Sequence, residues 1–289
     1  MSFALIIWVS SFAFGLQTII GKLTAKYSLS NPWQLNFFWT IFNLLLVLAF
    51  ALFFGVAKIP TNFLPYIIAG LFLAIGNILL TYSIYKLDIT IISPLFALRT
   101  AFTAVLGALF LQEHFSLFEY LLITLIFVSG MLIRVDEHFS LKKFKFNDLK
   151  YGIACMFFLA LSGITIKMAS TNGTYWNNML WINTFTALLL TTTIPLFMKE
   201  IRKTPINKYI GALGYSLSGG FGRLLMFYGM AINATITTVV ISLPISMLVT
   251  IPLSYVFPQL LEKHTTKVYI YRLLLALVMI FCSIKLSLR

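Results

Sequence analysis

Charge is what this 289-residue sequence has least of. One residue in ten is Asp, Glu, Lys or Arg, and only eight are acids. These are Asp88, Glu113, Glu119, Asp136, Glu137, Asp148, Glu200 and Glu262, and none sits midway along an apolar run. Proton-coupled export of cationic drugs needs a buried acid, so that activity is disfavoured. The three histidines, His114, His138 and His264, fall in polar links far apart in sequence. They form neither a metal set nor an acid–base pair, and no cofactor is expected. No Gly-rich phosphate loop, His-Glu-x-x-His or Gly-x-Ser-x-Gly occurs, which speaks against an enzyme. The two cysteines, Cys155 and Cys282, lie inside apolar runs and give no disulfide framework or zinc spacing. The first apolar run starts at Phe3 without a basic n-region or a small-residue cleavage site, so a retained helix is expected there.

Apolar residues are what the sequence has most of: 60% are hydrophobic, with a mean hydropathy of +0.95. Soluble domains run nearer half apolar and a quarter charged. Lipid must therefore be the solvent for much of this surface. Runs near the length of about 20 residues needed to span a bilayer occur at 3–23, 33–54, 63–87, 90–111 and 115–135. A basic linker at 136–147 follows, then runs at 148–168, 175–198, 209–231, 235–257 and 268–288. The runs are continuous and twice the length of barrel strands, so helices are expected. The links leave no room for a soluble domain. The excess of basic residues, +13 overall, sits in these links. Lipid headgroups are its expected partners, and nucleic acid is not.

The ten runs divide into similar halves, 1–135 and 148–289. Asn36 and Trp39 in run two match Asn178 and Trp181 in run seven. Tyr82 matches Tyr228, Pro94 matches Pro244, and Glu113 matches Glu262, at separations of 142, 146, 150 and 149 residues. An odd number of spans per repeat inverts the second copy. The expected fold is an all-α polytopic membrane protein of ten transmembrane helices in two inverted five-helix repeats, an architecture of secondary transporters. With the halves so inverted, 15 basic residues fall on one face of the membrane and four on the other. The positive-inside rule puts the basic loops in the cytoplasm and both termini outside, in a plasma or inner membrane.

The stretch from Ser93 to Glu113, with Arg99 near its start and Gly107 near its end, resembles the fourth helix of the drug/metabolite transporter superfamily, in its EamA-like branch. The apolar fifth run from Phe115 to Ile133 continues the likeness, and Ser242 to Glu262 is a looser second copy. Two features depart from the family. The proline that such helices carry midway is replaced by Thr100 and Val249, and the family's usual cytoplasmic termini disagree with the charge reading. The resemblance implies two five-helix repeats and metabolite transport, often export of amino acids or related compounds.

Arg99 is the most pointed candidate. A charge at bilayer depth costs roughly 3 kcal/mol on insertion scales, so it should face a cavity or a partner. A guanidinium can grip a carboxylate or phosphate through two parallel hydrogen bonds. It can equally hold backbone carbonyls or Gln17. Arg223 follows Gly219, Gly220 and Gly222 and is equivalent to Asn77 in the first repeat. It could share the site or reach the interface from a helix start. Asn36, Thr40 and Asn43 form a stripe on the second helix, and Asn77 lies on the third. Asn183 lies on the seventh, with Thr184 and Thr186 beside it. Such polar faces must turn inward in lipid. With Trp39, Trp181, Tyr82 and Tyr228 they could line an aromatic-walled pocket or simply pack between helices. Trp33 and Trp176 read as interface anchors, and Glu113 and Glu262, which could also be taken as proton carriers, as ties of the fourth helix to the fifth.

The expected activity is alternating-access transport of a small polar solute bearing an acidic group, such as an amino acid. The alternative is a flippase for a phosphate-bearing lipid or sugar carrier, which would need a lateral opening to lipid. A channel would show a repeated filter sequence, and none is present. Monomer and homodimer are both compatible with the sequence.

Overall fold

Short polar side chains begin several of the helices by accepting the backbone N–H groups that a first turn leaves unpaired. Ser2 Oγ accepts from Leu5 N–H at 3.4 Å, Asn31 Oδ1 from Trp33 N–H at 2.9 Å and Thr174 Oγ1 from Asn177 N–H at 3.3 Å. Pro32 follows Asn31 at the first helical position, where its missing N–H costs nothing. Asn233 ends one helix and starts the next, its Oδ1 accepting from Ile236 N–H at 2.8 Å.

The computed structural model describes residues 2–55, 58–87, 89–132, 146–170, 174–246, 248–249, 252 and 266–287. The regular structure among them is entirely helical. The helices are α1 (Phe3–Tyr27), α2 (Pro32–Phe53), α3 (Leu64–Lys86), α4 (Ile89–Phe110), α5 (Leu117–Leu132), α6 (Phe146–Ser170) and α7 (Tyr175–Thr191). After them come a six-residue α8 (Met198–Lys203), α9 (Tyr209–Ile232), α10 (Ala234–Ile241) and α11 (Thr266–Ser287). Of the basic linker, 136–145 lies outside the described residues, as do Arg134, Glu262 and Lys263.

Eight of the ten apolar runs carry a helix close to the expected bounds, among the described residues, while the seventh, expected over 175–198, ends its helix at Thr191 and passes through a 3-10 turn at Ile194–Leu196 into α8. The ninth is a correction. Helix α10 stops at Ile241, where a continuous span over 235–257 was expected. Pro244 has no N–H to give the carbonyl of Val240, four residues back. Leu243 N–H turns to that carbonyl instead, at 3.3 Å, and Ile245 N–H donates to Leu243 O at 2.8 Å. Ser11 on α1 completes the repair by donating its Oγ–H to Val240 O at 2.8 Å.

Five helices are long and apolar enough to cross a membrane: Phe3–Tyr27, Pro32–Phe53, Leu64–Lys86, Lys150–Ser170 and Lys267–Leu286. Large apolar side chains such as Leu52, Leu109, Leu188, Leu274 and Phe281 point outward, while Ser10, Asn36, Thr40, Asn77, Asn183 and both Arg99 and Arg223 are buried. This reverses the pattern of a soluble protein and identifies an integral membrane protein.

The two most extensive helix pairs are α3 with α6 and α1 with α9. Lipid gives apolar helices no hydrophobic reason to associate, so close backbone approach must do it. On α9, Gly211, Gly219 and Gly229 face Thr24, Gln17 and Ile7 of α1, an order that makes the helices antiparallel. Ser10 Oγ–H donates to Gly222 O at 2.7 Å and Ser218 Oγ–H to Ala13 O at 2.8 Å. Each such bond contributes about 0.6 kcal/mol in a membrane. In the other pair, Gly76 of α3 admits Leu159 of α6 and Gly152 lies near Ser83 and Leu87, again antiparallel.

Candidate functional site

Arg223 reaches from the middle of α9 into the interior, where it is 4% exposed. Its Nη1–H donates to Asn183 Oδ1 of α7 at 3.2 Å and its Nη2–H to Asn77 Oδ1 of α3 at 3.0 Å. The guanidinium carbon lies 4.4 Å from the centroid of the Trp39 ring of α2. Four helices thus fix one cation. Its partners are two neutral amides and a ring face, so the charge is oriented but not neutralised.

Arg99 of α4 lines the same cavity and is 6% exposed. Its Nε has no hydrogen-bond partner. The cavity measures about 60 Å³ and lies between α1, α2, α3, α4, α6, α9 and the broken α10 segment. Among the described residues, no Asp or Glu lines it. Phe14, Leu73, Leu80, Phe96, Leu159 and Met226 give it apolar walls. The buried, unpaired polar atoms of its lining residues are Asn77 Nδ2, Arg99 Nε and Arg223 Nε, and all three are N–H donors. A site with donors to spare and two positive charges suits an acceptor-rich, negatively charged guest.

Helix α1 supplies part of the wall: Gln17, named above as a possible partner of Arg99, and Ser11, Gly15 and Thr18, which the sequence did not single out. Gln17 lies flat against Gly219, where any Cβ would collide with the amide. Gly15 lets the broken segment come close, since a Cβ there would be 2.8 Å from Ile245 Cγ2 and 3.2 Å from Ser246 N. The break at Pro244 brings Leu243 and Ser246 to the cavity. A polar residue two positions before a proline in an apolar run, Ser242-Leu243-Pro244, was the available signal for it.

The residues expected at the site divide. Arg99, Arg223, Asn77 and Trp39 line the cavity, and Asn183 supports it through Arg223. Asn36 is buried beside it in the chain, its Oδ1 accepting from Thr81 Oγ1–H at 3.3 Å. Thr40 turns its hydroxyl to Asn36 O at 2.9 Å. Asn43 is buried with neither amide atom paired, near Gly220. The remaining three aromatic residues lie elsewhere. Trp181 donates its Nε1–H to Lys58 O at 2.8 Å and packs on Phe63. Tyr82 packs at a tilt against Tyr151 beside Lys86, and Tyr228, 41% exposed, meets Tyr175 edge-on. Glu113 ties the end of α4 to Thr235 of α10, whose hydroxyl donates to the carboxylate.

Residues 1–135 match the EamA-like transporter family, in agreement with the resemblance read from the fourth and fifth runs. A solved structure titled "Crystal structure of protein" has the same fold, with a TM-score of 0.73 over 99% of this chain and 97% of that one at 11% identity. No curated protein matches the chain.

Proposed function

From a first half that carries the EamA-like transporter sequence, we propose that this membrane transporter of small solutes moves a small polar solute bearing an acidic group, by alternating access. The observation that carries the reading is the pair of buried arginines, Arg99 and Arg223, in one cavity without a carboxylate among its lining residues. Removing two such charges from water is costly unless something compensates them. An acid-bearing solute supplies the missing charge and the missing hydrogen-bond acceptors together. The alternative, a flippase for a phosphate-bearing carrier, would need a lateral opening to lipid.

Alternating access between two inverted five-helix repeats is supported by how the helices pair. Moving five spans along the chain turns the α1–α9 pair into the α6–α3 pair, and these are the two most extensive interfaces. Each pair is a unit that can rock on the other. At one end, Lys22 of α1 donates its ammonium to Leu87 O at 2.8 Å and Ile84 O at 3.4 Å, the closing carbonyls of α3. At the other, Lys167 of α6 donates to Ala231 O and, at 2.9 Å, to Ile232 O, the closing carbonyls of α9. Both ties join one unit to the other, and the antiparallel packing puts them at opposite ends. A closed latch at each end describes an occluded state. The excess of basic residues that the sequence assigns to the Lys22 face supports a cytoplasmic location for that end, with the termini outside.

The test is ligand-dependent thermal stabilisation of the purified protein and of Arg99→Leu. The panel holds carboxylic acids, amino acids, phosphorylated sugars, nucleotides and cationic drugs. Stabilisation of the wild type by an acid-bearing compound, lost in the folded variant, is the expected result. Stabilisation by cationic compounds alone would overturn the reading.

A further inference from the structure

The cavity's charges discriminate among acid-bearing solutes. Two guanidiniums occupy it, and its unpaired polar atoms are N–H donors. An amino acid would bring a carboxylate that this site can receive and an ammonium that it cannot. The ammonium would sit within a few ångströms of one or both guanidiniums, in a medium where like charges are weakly screened. No Asp or Glu among the described lining residues would offset it, and Gln17, Thr18 and Ser246 offer neutral side-chain oxygens. Thr18 donates its hydroxyl to Phe14 O at 2.9 Å and Ser11 its own to Val240 O, so each presents only uncharged lone pairs, which do not neutralise an ammonium.

Size narrows the class further. At about 60 Å³ the cavity has room for a small solute and not for a single water alone. The apolar walls, Leu73, Leu80 and Leu159 among them, accept its methyl or methylene carbons.

We propose that the solute is a small net-anionic organic acid, with one or two carboxylates and no ammonium. The inference rests on the reading of this cavity as the solute site and narrows it. Arg223, held by Asn77, Asn183 and Trp39, is the fixed half of the receptor. Arg99, with its free Nε, is the half that closes on the carboxylate.

Two matched pairs test it on the wild-type protein in lipid nanodiscs. Lactate and alanine differ in a hydroxyl against an ammonium; succinate and aspartate differ by an added ammonium on one skeleton. Apparent affinity is read from the concentration dependence of thermal stabilisation, and from counterflow of labelled lactate or succinate in proteoliposomes. The expected result is that at least one unaminated acid binds, with its aminated partner roughly 100-fold weaker. Equal or tighter binding of alanine or aspartate overturns this inference and leaves the acid-bearing solute standing. Failure of all four acids overturns the inference as well. If neutral or cationic compounds bind in their place, the acid-bearing reading falls with it.

Discussion

Arg223 lies with its guanidinium carbon 4.4 Å above the ring of Trp39, and Trp39 in turn meets Tyr215 edge to face at 5.4 Å. The stack fixes the plane of the guanidinium, so that its two Nη groups reach Asn77 and Asn183 on different helices. A lysine is a point charge without that plane and could not make both bonds in one geometry. In Arg223→Lys at least one asparagine oxygen would lose its partner, at about 1–3 kcal/mol. The variant should fold and retain weak transport, with solute affinity lower by about 10- to 100-fold. Binding titrations on the folded variant check this; unchanged affinity would remove Arg223 from the site.

Arg99 should trade stability for function. Its charge is buried and its Nε has no partner. Replacing such a group with an apolar side chain of similar volume is often neutral or stabilising. Arg99→Leu is therefore expected to melt at the same or a higher temperature without solute, and to lose stabilisation by acids. A large fall in melting temperature without solute would show instead that Arg99 holds the helices together.

The two lysine latches should act on opposite faces. Lys167→Met releases the carbonyls of Ala231 and Ile232, and Lys22→Met those of Ile84 and Leu87. The readout is a Ser246→Cys reporter in the cavity, in a background without Cys155 and Cys282, labelled by a membrane-impermeant thiol reagent. Lys167→Met should raise labelling from the outside, and Lys22→Met from the cytoplasmic side. Equal rises from both faces in either variant would sink the gating role.

Two glycines on α9 should separate packing from flexibility. A Cβ at Gly219 collides with the Gln17 amide, whereas at Gly214 the nearest atom is Ile20 Cγ2 at an ordinary 3.6 Å. Gly214→Ala should be neutral or stabilise by up to about 1 kcal/mol, from helix propensity alone. Gly219→Ala should displace Gln17 and cost about 1–3 kcal/mol, the usual range for overpacking. Parallel melting curves decide it, and equal behaviour of the two variants would refute the packing argument.

Much of the fold was legible along the chain because the bilayer imposes length. A span must be apolar for about 20 residues whatever it packs against. Runs ended by Asn31-Pro32, Thr174 or Asn233 therefore mark helices before any contact is known. Arg99 announced itself by the same rule, since a charge at that depth demands a reason. Asn77, Asn183 and Trp39 were legible as inward-facing residues, because lipid excludes unpaired polar groups.

What the chain alone could not decide was the rotation of each helix about its own axis relative to the others. Asn183 and Trp181 sit two residues apart on α7, yet one bonds Arg223 and the other reaches the Lys58 loop. Ser11 and Thr18 were hidden in an apolar run, and line the cavity because α9 offers glycines at which α1 can come close. Pro244 was visible as a match to Pro94, but its effect on α10 depends on Ser11 taking the carbonyl it frees. Sequence thus determined the membrane, the spans and the odd charge. Packing of small residues decided which side chains share a cavity, because lipid lets helices turn until their backbones fit.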